Sequence, residues 1–134
     1  MPFMTWTDKL SVGVKVSDDD HKRLIDLVNR LDDGMRTGQG KEVVGKVLDE
    51  LVRYTKFHFA REEQMFAKTG YPAAVHKKEH DDLVKQVLDL QARYQKGELA
   101  LSMETLEFLK NWLVNHIQGT DKKYGPFLNS KGIH

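Results

Sequence analysis

The stretch KEVVGKVLDELVRYTKFHFAREEQMFA, residues 41–67, decides the fold of this chain. Its apolar side chains recur every three or four residues, which is the spacing of one face of an α-helix. The face is formed by Val44, Val47, Leu48, Leu51, Tyr54 or Thr55, His58, Glu62 and Met65. His58 and Glu62 are one helical turn apart, so their side chains lie next to each other on that face. The stretch therefore predicts a long helix with two potential metal ligands near its C-terminal end.

Three other stretches predict helices of similar length. The first extends over about 18–36, the third begins near Pro72 and continues to at least Tyr94, and the fourth extends over about 101–118. Proline is favoured at the first position of a helix, where its missing N–H group is not needed. Short loops between long helices favour antiparallel neighbours. We therefore expect an all-α fold, an antiparallel up-down-up-down four-helix bundle with an N-terminal extended arm and a short C-terminal segment, forming one domain over residues 1–134.

The composition argues against several kinds of partner and of metal site. Charged residues make up 31% of the chain, but the formal net charge is only +1, so we expect no binding to nucleic acid. The chain has no cysteine, which leaves histidine and carboxylate side chains as the metal ligands. The N-terminal residues lack the features of a signal peptide, and no apolar run is long enough to span a bilayer. We therefore expect a cytoplasmic protein without membrane insertion.

Five of the six histidines form an ordered pattern with one glutamate and one aspartate. The pattern consists of His21, the pair His58 and Glu62, the pair His76 and His80, and His116 followed by Asp121. In an up-down-up-down bundle, the starts of the first and third helices and the ends of the second and fourth lie together. Ligands at opposite ends of a 20-residue helix would instead be about 30 Å apart. The pattern therefore predicts one metal-binding layer at one end of the bundle.

The spacing of His116 and Asp121 does not suit a regular helix. Five residues at 100° per residue leave the two side chains about 140° apart around the helix axis. If both side chains belong to one site, the chain must depart from α-helical geometry between them. We expect a π-bulge, a helix break or an unwound turn around 118–120, with Gly119 as the point of departure.

These features resemble the hemerythrin family, specifically its stand-alone bacterial members, the bacteriohemerythrins. The resemblance covers nearly the whole chain. Besides the order of the potential ligands, it rests on Trp6 followed by SVGV at 11–14, and on the blocks FHFAREE at 57–63 and WLVNHI at 112–117. One departure is the run DDD at 18–20, because such proteins often have glutamine just before the first histidine.

The resemblance implies a non-haem site of two iron ions (Fe²⁺/Fe³⁺) with an oxo or hydroxo bridge, which binds O2 reversibly. It implies that one iron is held by His76, His80 and His116, that the other is held by His21 and His58, and that Glu62 and Asp121 bridge the two. The second iron then has one ligand fewer than the first. The resemblance implies that O2 binds at its open position.

The function implied by the resemblance is O2 carriage, storage or delivery in the cytoplasm, without enzyme activity. Five neutral histidines and two carboxylates carry less negative charge than the four carboxylates of other di-iron bundles, which favours ferrous iron. The alternatives are an oxygen or redox sensor, a di-iron oxidase such as a ferroxidase or peroxidase, and a structural bundle that holds zinc. A sensor would be expected to have an attached output domain. We expect a monomer whose partners are O2 and an oxygen-consuming enzyme.

The neighbours of the predicted ligands have less specific interpretations. We expect Leu24, Ile25, Trp112, Leu113 and Ile117 to pack in the core and keep the site dry, with Trp112 the best candidate to line an O2 pocket. Tyr54 and Tyr124 are candidate hydrogen-bond donors to the site, although helix packing explains them equally well. Glu63 and Glu79 are expected to be surface charges.

Overall fold

Four long helices account for most of the chain. In the computed structural model, which describes residues 3–134 apart from the side chains at 99–101, they are α1 (Lys15–Arg36), α2 (Lys41–Thr69), α3 (Ala74–Gln95) and α4 (Leu99–Asn115). A π-helix (His116–Asp121) joins α4 to the short helix α5 (Lys122–Ser130), and a 3₁₀ turn (Asp8–Leu10) lies in the N-terminal arm. The described residues contain no strand, so the predicted all-α class is confirmed. Met1 and Pro2, which belong to the predicted arm, lie outside the described residues.

Helices that follow each other in the chain are neighbours in space. α1 contacts α2, α2 contacts α3, α3 contacts α4, and α4 returns to contact α1. Because the connections are only three or four residues long, successive helices are antiparallel. The predicted up-down-up-down bundle is confirmed. Within residues 3–134, no helix has both the length and the apolar character needed to cross a bilayer.

The apolar stripes of the four helices meet along the bundle axis, where they form the core. On α2, Thr55 takes the buried position of the stripe, whereas Tyr54 is half-buried at its edge. Phe66 is buried near the end of this helix, whereas Met65 is only partly buried. The buried face therefore shifts by one residue near the C-terminal end of α2. Such a shift is expected because the 3.6-residue turn of an α-helix does not match a seven-residue repeat exactly.

Three helix starts differ from the sequence-based expectation, and α4 begins at Leu99, two residues before the expected 101. α1 begins at Lys15, three residues before the expected start, because Asp18 acts inside the first turn. Its carboxylate accepts hydrogen bonds from Ser11 Oγ at 2.6 Å and from the backbone N–H of Val12 at 2.9 Å, which ties the arm to the helix. α3 begins at Ala74, so Pro72 precedes the helix instead of occupying its first position.

The departure from α-helical geometry expected between His116 and Asp121 is confirmed as a π-helix that spans both residues. A π-turn holds more residues than an α-turn, so residues five apart come to lie on the same face. Gly119 lies within this segment, but its φ angle is not in the left-handed region. The chain therefore accommodates the extra residue by widening a turn, and glycine is not required to break the helix.

The N-terminal arm covers the end of the bundle where the potential ligands lie. Val12 and Val14 of the arm are buried, and the side chain of Asn129 on α5 donates a hydrogen bond to the carbonyl of Gly13 at 3.0 Å. At Gly125 the backbone carbonyl of Val12 approaches so closely that a Cβ atom would overlap it. Glycine at position 125 thus allows the arm to pack directly on α5.

Candidate metal centre

The structure brings all seven predicted ligand residues together at one end of the bundle. They come from α1 (His21), α2 (His58 and Glu62), α3 (His76 and His80) and the π-helix (His116 and Asp121). Each of the seven is at most 3% exposed to solvent. Burying polar and ionisable groups at this density is costly unless they are paired or bind a metal.

Glu62 divides its two carboxylate oxygens between two groups of histidines. Oε1 lies 3.0 Å from His80 Nε2 and 3.7 Å from His76 Nε2. Oε2 faces the other way, at 3.6 Å from His58 Nε2 and 4.0 Å from His21 Nε2. One carboxylate therefore contacts a group of histidines on α3 with one oxygen and a group on α1 and α2 with the other.

Asp121 makes the same division. Its Oδ1 lies 2.8 Å from His76 Nε2 and 3.0 Å from His116 Nε2, whereas its Oδ2 lies 3.1 Å from His21 Nε2. The cluster thus has a three-histidine side (His76, His80 and His116) and a two-histidine side (His21 and His58), with both carboxylates between them. A cluster arranged in this way is suited to two metal ions.

The inward-facing atoms of this cluster are close to one another but are not hydrogen-bonded. Among the described residues, no hydrogen-bond partner serves the Nε2 atoms of His21, His76, His80 and His116, Glu62 Oε1 or either oxygen of Asp121. A buried polar atom without a partner costs about 1–3 kcal/mol, so a group of seven calls for a common explanation. Their lone pairs converge on shared points, which fits metal ions, and nitrogen with carboxylate ligands suits iron.

The charged groups of the cluster shift one another's pKa values. Burial by itself lowers the pKa of His76, but the carboxylates of Asp121 and Glu62 outweigh this effect and raise it to about 9. Burial by itself raises the pKa of Asp121, yet the imidazoles of His116, His21 and His76 hold it well below its usual value. Protons and metal ions therefore compete for the same nitrogen atoms.

Three of the five histidines are held from behind by a carboxylate. Asp20 Oδ2 lies 2.9 Å from His58 Nδ1, Glu63 Oε2 lies 3.2 Å from His80 Nδ1, and Glu79 Oε1 lies 3.2 Å from His116 Nδ1. A carboxylate at Nδ1 keeps the proton on that nitrogen and leaves Nε2 free to bind metal. The expectation that Glu63 and Glu79 are surface charges is therefore wrong, because each orients a histidine of the site.

Some of these supporting residues had a signal in the sequence and others did not. Asp20 lies four residues before Leu24 on the buried face of α1, so its position on that stripe predicts burial. Glu63 and Glu79 lie beside the core stripes, and they reach histidines on neighbouring helices. That reach depends on the packing of the helices, which the spacing within one helix does not reveal.

Tyr124 is a buried hydrogen-bond donor to the site. Its hydroxyl group donates to Glu62 Oε2 at 2.5 Å, and burial together with the nearby carboxylates raises its pKa well above the usual value. The phenol therefore stays protonated and orients one oxygen of the shared carboxylate. Tyr54 does not touch a predicted ligand, but it donates to Asp20 Oδ1 at 2.7 Å.

Among the described ring contacts, aromatic residues stack face to face on two of the histidines. Phe59 stacks on His80 with ring centroids 3.8 Å apart, and Trp112 stacks on His116 at 4.5 Å. Trp112 borders a surface groove with His116 and Glu79, so it lies on the outer side of the site and not towards the bundle axis. These rings restrict the rotation of the imidazoles that they cover.

An apolar cavity of about 20 Å³ lies on the bundle axis next to the site. Its lining side chains are Leu24, Val28, Leu51, Thr55, Leu83, Val87, Leu109 and Leu113. Leu24, Thr55, Leu83 and Leu113 are each three residues from a predicted ligand, so the cavity begins one helical turn below the cluster. By the same measure a water molecule needs about 10–15 Å³, so the space suits a small apolar molecule.

A four-helix bundle with a two-sided cluster of histidines and carboxylates belongs to the class of dinuclear metal-binding bundles. The model of one protein family, described as hemerythrin HHE cation binding domain, matches residues 12–128. The chain belongs to the hemerythrin family. Hemerythrins are non-haem di-iron proteins, and the cluster described above is suited to two metal ions.

Known relatives are similar over nearly the whole chain. A bacteriohemerythrin of Methylococcus capsulatus is 44% identical over 132 residues, covering 97% of this chain and 100% of the relative. One from Stenotrophomonas maltophilia is 40% identical, covering 92% of this chain and 80% of the relative. A crystal structure of wild-type hemerythrin is similar with a TM-score of 0.84 and 44% identity, covering 94% of this chain and 98% of that one. These findings confirm the resemblance to the bacteriohemerythrins.

Proposed function

We propose that this protein binds O2 reversibly at a di-iron site and serves in O2 carriage, storage or delivery. His76, His80 and His116 would hold one iron and His21 and His58 the other, with Glu62 and Asp121 shared between the two. The observation that carries this proposal is the division of the carboxylate oxygens. Each carboxylate presents one oxygen to the three-histidine side and the other to the two-histidine side.

When bound, the two iron ions supply the electrons needed to hold O2 reversibly. The protein contributes an unequal set of ligands, because the two-histidine side offers one nitrogen fewer and so leaves more room for an added ligand. Tyr124 holds Glu62 between the two sides, and Asp20, Glu63 and Glu79 fix three imidazoles. Positions of the ligands are thus set before metal or O2 arrives.

The apolar surroundings support reversible binding. Leu24 and Leu113 line the cavity next to the site, and Ile117 is fully buried beside His116. A dry, apolar space admits O2 but disfavours water and ions, which would promote irreversible oxidation of the iron. The predicted ligand set, with five histidines and only two carboxylates, carries less negative charge than a set with four carboxylates, which supports carriage over oxidase chemistry.

The test is a visible absorption spectrum of the reduced, iron-loaded protein, recorded under nitrogen, then under air, then under nitrogen again. We expect a band that appears with O2 and disappears when O2 is removed, at two irons per chain. Irreversible conversion to a ferric form would contradict carriage and favour oxidase or redox chemistry. Absence of iron after loading would favour a structural role with another metal.

A further inference from the structure

The three carboxylates that hold histidines from behind have different surroundings. Asp20 is only 2% exposed, whereas the side chains of Glu63 and Glu79 are 35% and 32% exposed. Within the described contacts, Glu63 has only His80 as a hydrogen-bond partner, and Glu79 has His116 and the hydroxyl group of Thr120. Neither glutamate is paired with a cationic side chain of Lys or Arg in these contacts.

Asp20, by contrast, is paired with Arg61. The guanidinium group donates from Nε to Oδ2 at 3.1 Å and from Nη2 to Oδ1 at 2.5 Å, so it binds both oxygens. The hydroxyl group of Tyr54 donates to Oδ1 as well. The centroid of the Phe57 ring lies 4.7 Å from the guanidinium carbon, so the ring covers the guanidinium group. A two-pronged pair of this kind is among the strong and well-oriented hydrogen-bonded contacts.

The pairing of Asp20 with Arg61 reduces the net negative charge next to His58. Asp20 Oδ2 accepts hydrogen bonds from both His58 and Arg61, so the negative charge that His58 senses is largely compensated. A compensated carboxylate draws the Nδ1 proton less strongly, and the imidazole then donates less electron density through Nε2 to a metal. His80 and His116 face carboxylates without a guanidinium partner, so they are the stronger donors.

We propose that Arg61 and Tyr54, acting through Asp20, weaken electron donation by His58 and so favour the ferrous state of the iron on the two-histidine side. They are positioning residues, since their described side-chain hydrogen bonds go to Asp20 and not to a predicted ligand. The inference rests on the proposed function for the identity of the metal and deepens it, because this side is the one with room for O2. The charge pair of Arg61 and Asp20, which is not part of the predicted ligand pattern, thus has a role at the site.

The first experiment compares Arg61→Gln with wild type by a redox titration of the iron-loaded protein under nitrogen. We expect a lower reduction potential and, after exposure to air, roughly tenfold faster conversion to the ferric form, by analogy with the tenfold or larger losses of metal affinity or activity that follow changes behind a metal ligand. Arg53→Gln is the matched control. Arg53 is an exposed arginine on the same helix, and among the described hydrogen bonds and ion pairs its side chain donates only to the backbone carbonyl of Asp49, so its replacement should leave both quantities unchanged.

The second experiment asks whether Arg61 acts through Asp20. Asp20→Asn removes the charge but keeps a hydrogen-bond acceptor, so we expect a higher potential than in wild type. In the Asp20→Asn background, Arg61→Gln should then have no further effect on the potential, which is a test by double-mutant cycle. In the Co²⁺-loaded protein, NMR should show that Arg61→Gln shifts the exchangeable Nδ1 proton of one histidine, His58.

Several results would overturn the proposal. They are an unchanged or higher potential in Arg61→Gln, an equal shift in Arg53→Gln, and a shift that persists in the Asp20→Asn background. The redox titration under nitrogen and the NMR comparison need no O2. A wild-type protein that binds two irons but shows no reversible O2 band would therefore contradict the proposed function alone, while the redox comparison would still decide the role of Arg61.

Discussion

At the residue scale, the carboxylate of Glu62 contacts both sides of the histidine cluster. It is fully buried, faces four imidazoles and accepts a hydrogen bond from Tyr124. Its orientation decides whether its two oxygens reach both sides of the cluster. The tyrosine is the donor that fixes that orientation, and it belongs to α5, outside the four long helices.

We predict that Tyr124→Phe keeps the fold but leaves the carboxylate of Glu62 less firmly oriented. A hydrogen bond to a charged group contributes about 1.5–3 kcal/mol, so we expect the metal-loaded variant to lose about that much free energy of unfolding. Urea denaturation measures this loss. Tyr94→Phe, on α3 at the other end of the bundle, is the control and should change stability little. Equal stability of Tyr124→Phe and wild type would show that Glu62 is held without the phenol.

The clustering of the predicted ligand residues could be foreseen from the sequence, because two of the pairs repeat the period of their own helix. His58 with Glu62 and His76 with His80 are both i,i+4 pairs on core stripes. The residues behind them were predicted less well. Glu63 looks like a surface charge because it lies beside the stripe, and only the position of α3 brings His80 within its reach.

At the element scale, the contact between the N-terminal arm and α5 depends on a single glycine. The carbonyl group of Val12 occupies the space that a side chain at position 125 would need. Tyr124, the neighbour of this glycine, donates to Glu62. A displacement of α5 would therefore reach the metal centre directly. The sequence showed that the arm and the short C-terminal segment exist, but not that they touch, because their residues are more than 100 positions apart.

We predict that Gly125→Ala destabilises the protein by about 2 kcal/mol or more, since backbone atoms cannot move aside as a flexible side chain does. It should also speed the release of metal to a chelator. The control is Gly45→Ala on α2, where a Cβ atom meets nothing within 4 Å. Alanine in a helix interior is favoured over glycine by about 0.5–1 kcal/mol, so this control should be slightly stabilised. Similar stability of the two variants would contradict the described packing.

At the scale of the whole molecule, the bundle brings the predicted ligand residues from distant parts of the chain into one buried layer. The layer contains histidines whose pKa values are raised by the shared carboxylates, namely His21, His76 and His116. In protein prepared without metal, protons take the place of the metal ions as partners of the carboxylates. Stability without metal should therefore depend on pH.

For His76 the sign follows from its two pKa values, 6.5 for the free side chain and about 9 in the folded protein. The folded state binds the proton more tightly, so the stabilisation is fully present below pH 6.5 and is lost as the pH rises through about 9. We predict that the urea midpoint of the metal-free protein falls over this range. His76→Gln should make the fall smaller. A midpoint that is constant or rises over this range would contradict the predicted pairing.

Seven residues of the bundle are proposed to hold two iron ions, with the two carboxylates between them. The most direct test is a crystal structure of the iron-loaded protein with diffraction data collected at the iron absorption edge. We predict two anomalous peaks, one among His76, His80 and His116 and one beside His21 and His58, with Glu62 and Asp121 contacting both. A single peak, or a second peak away from His21 and His58, would contradict the claim.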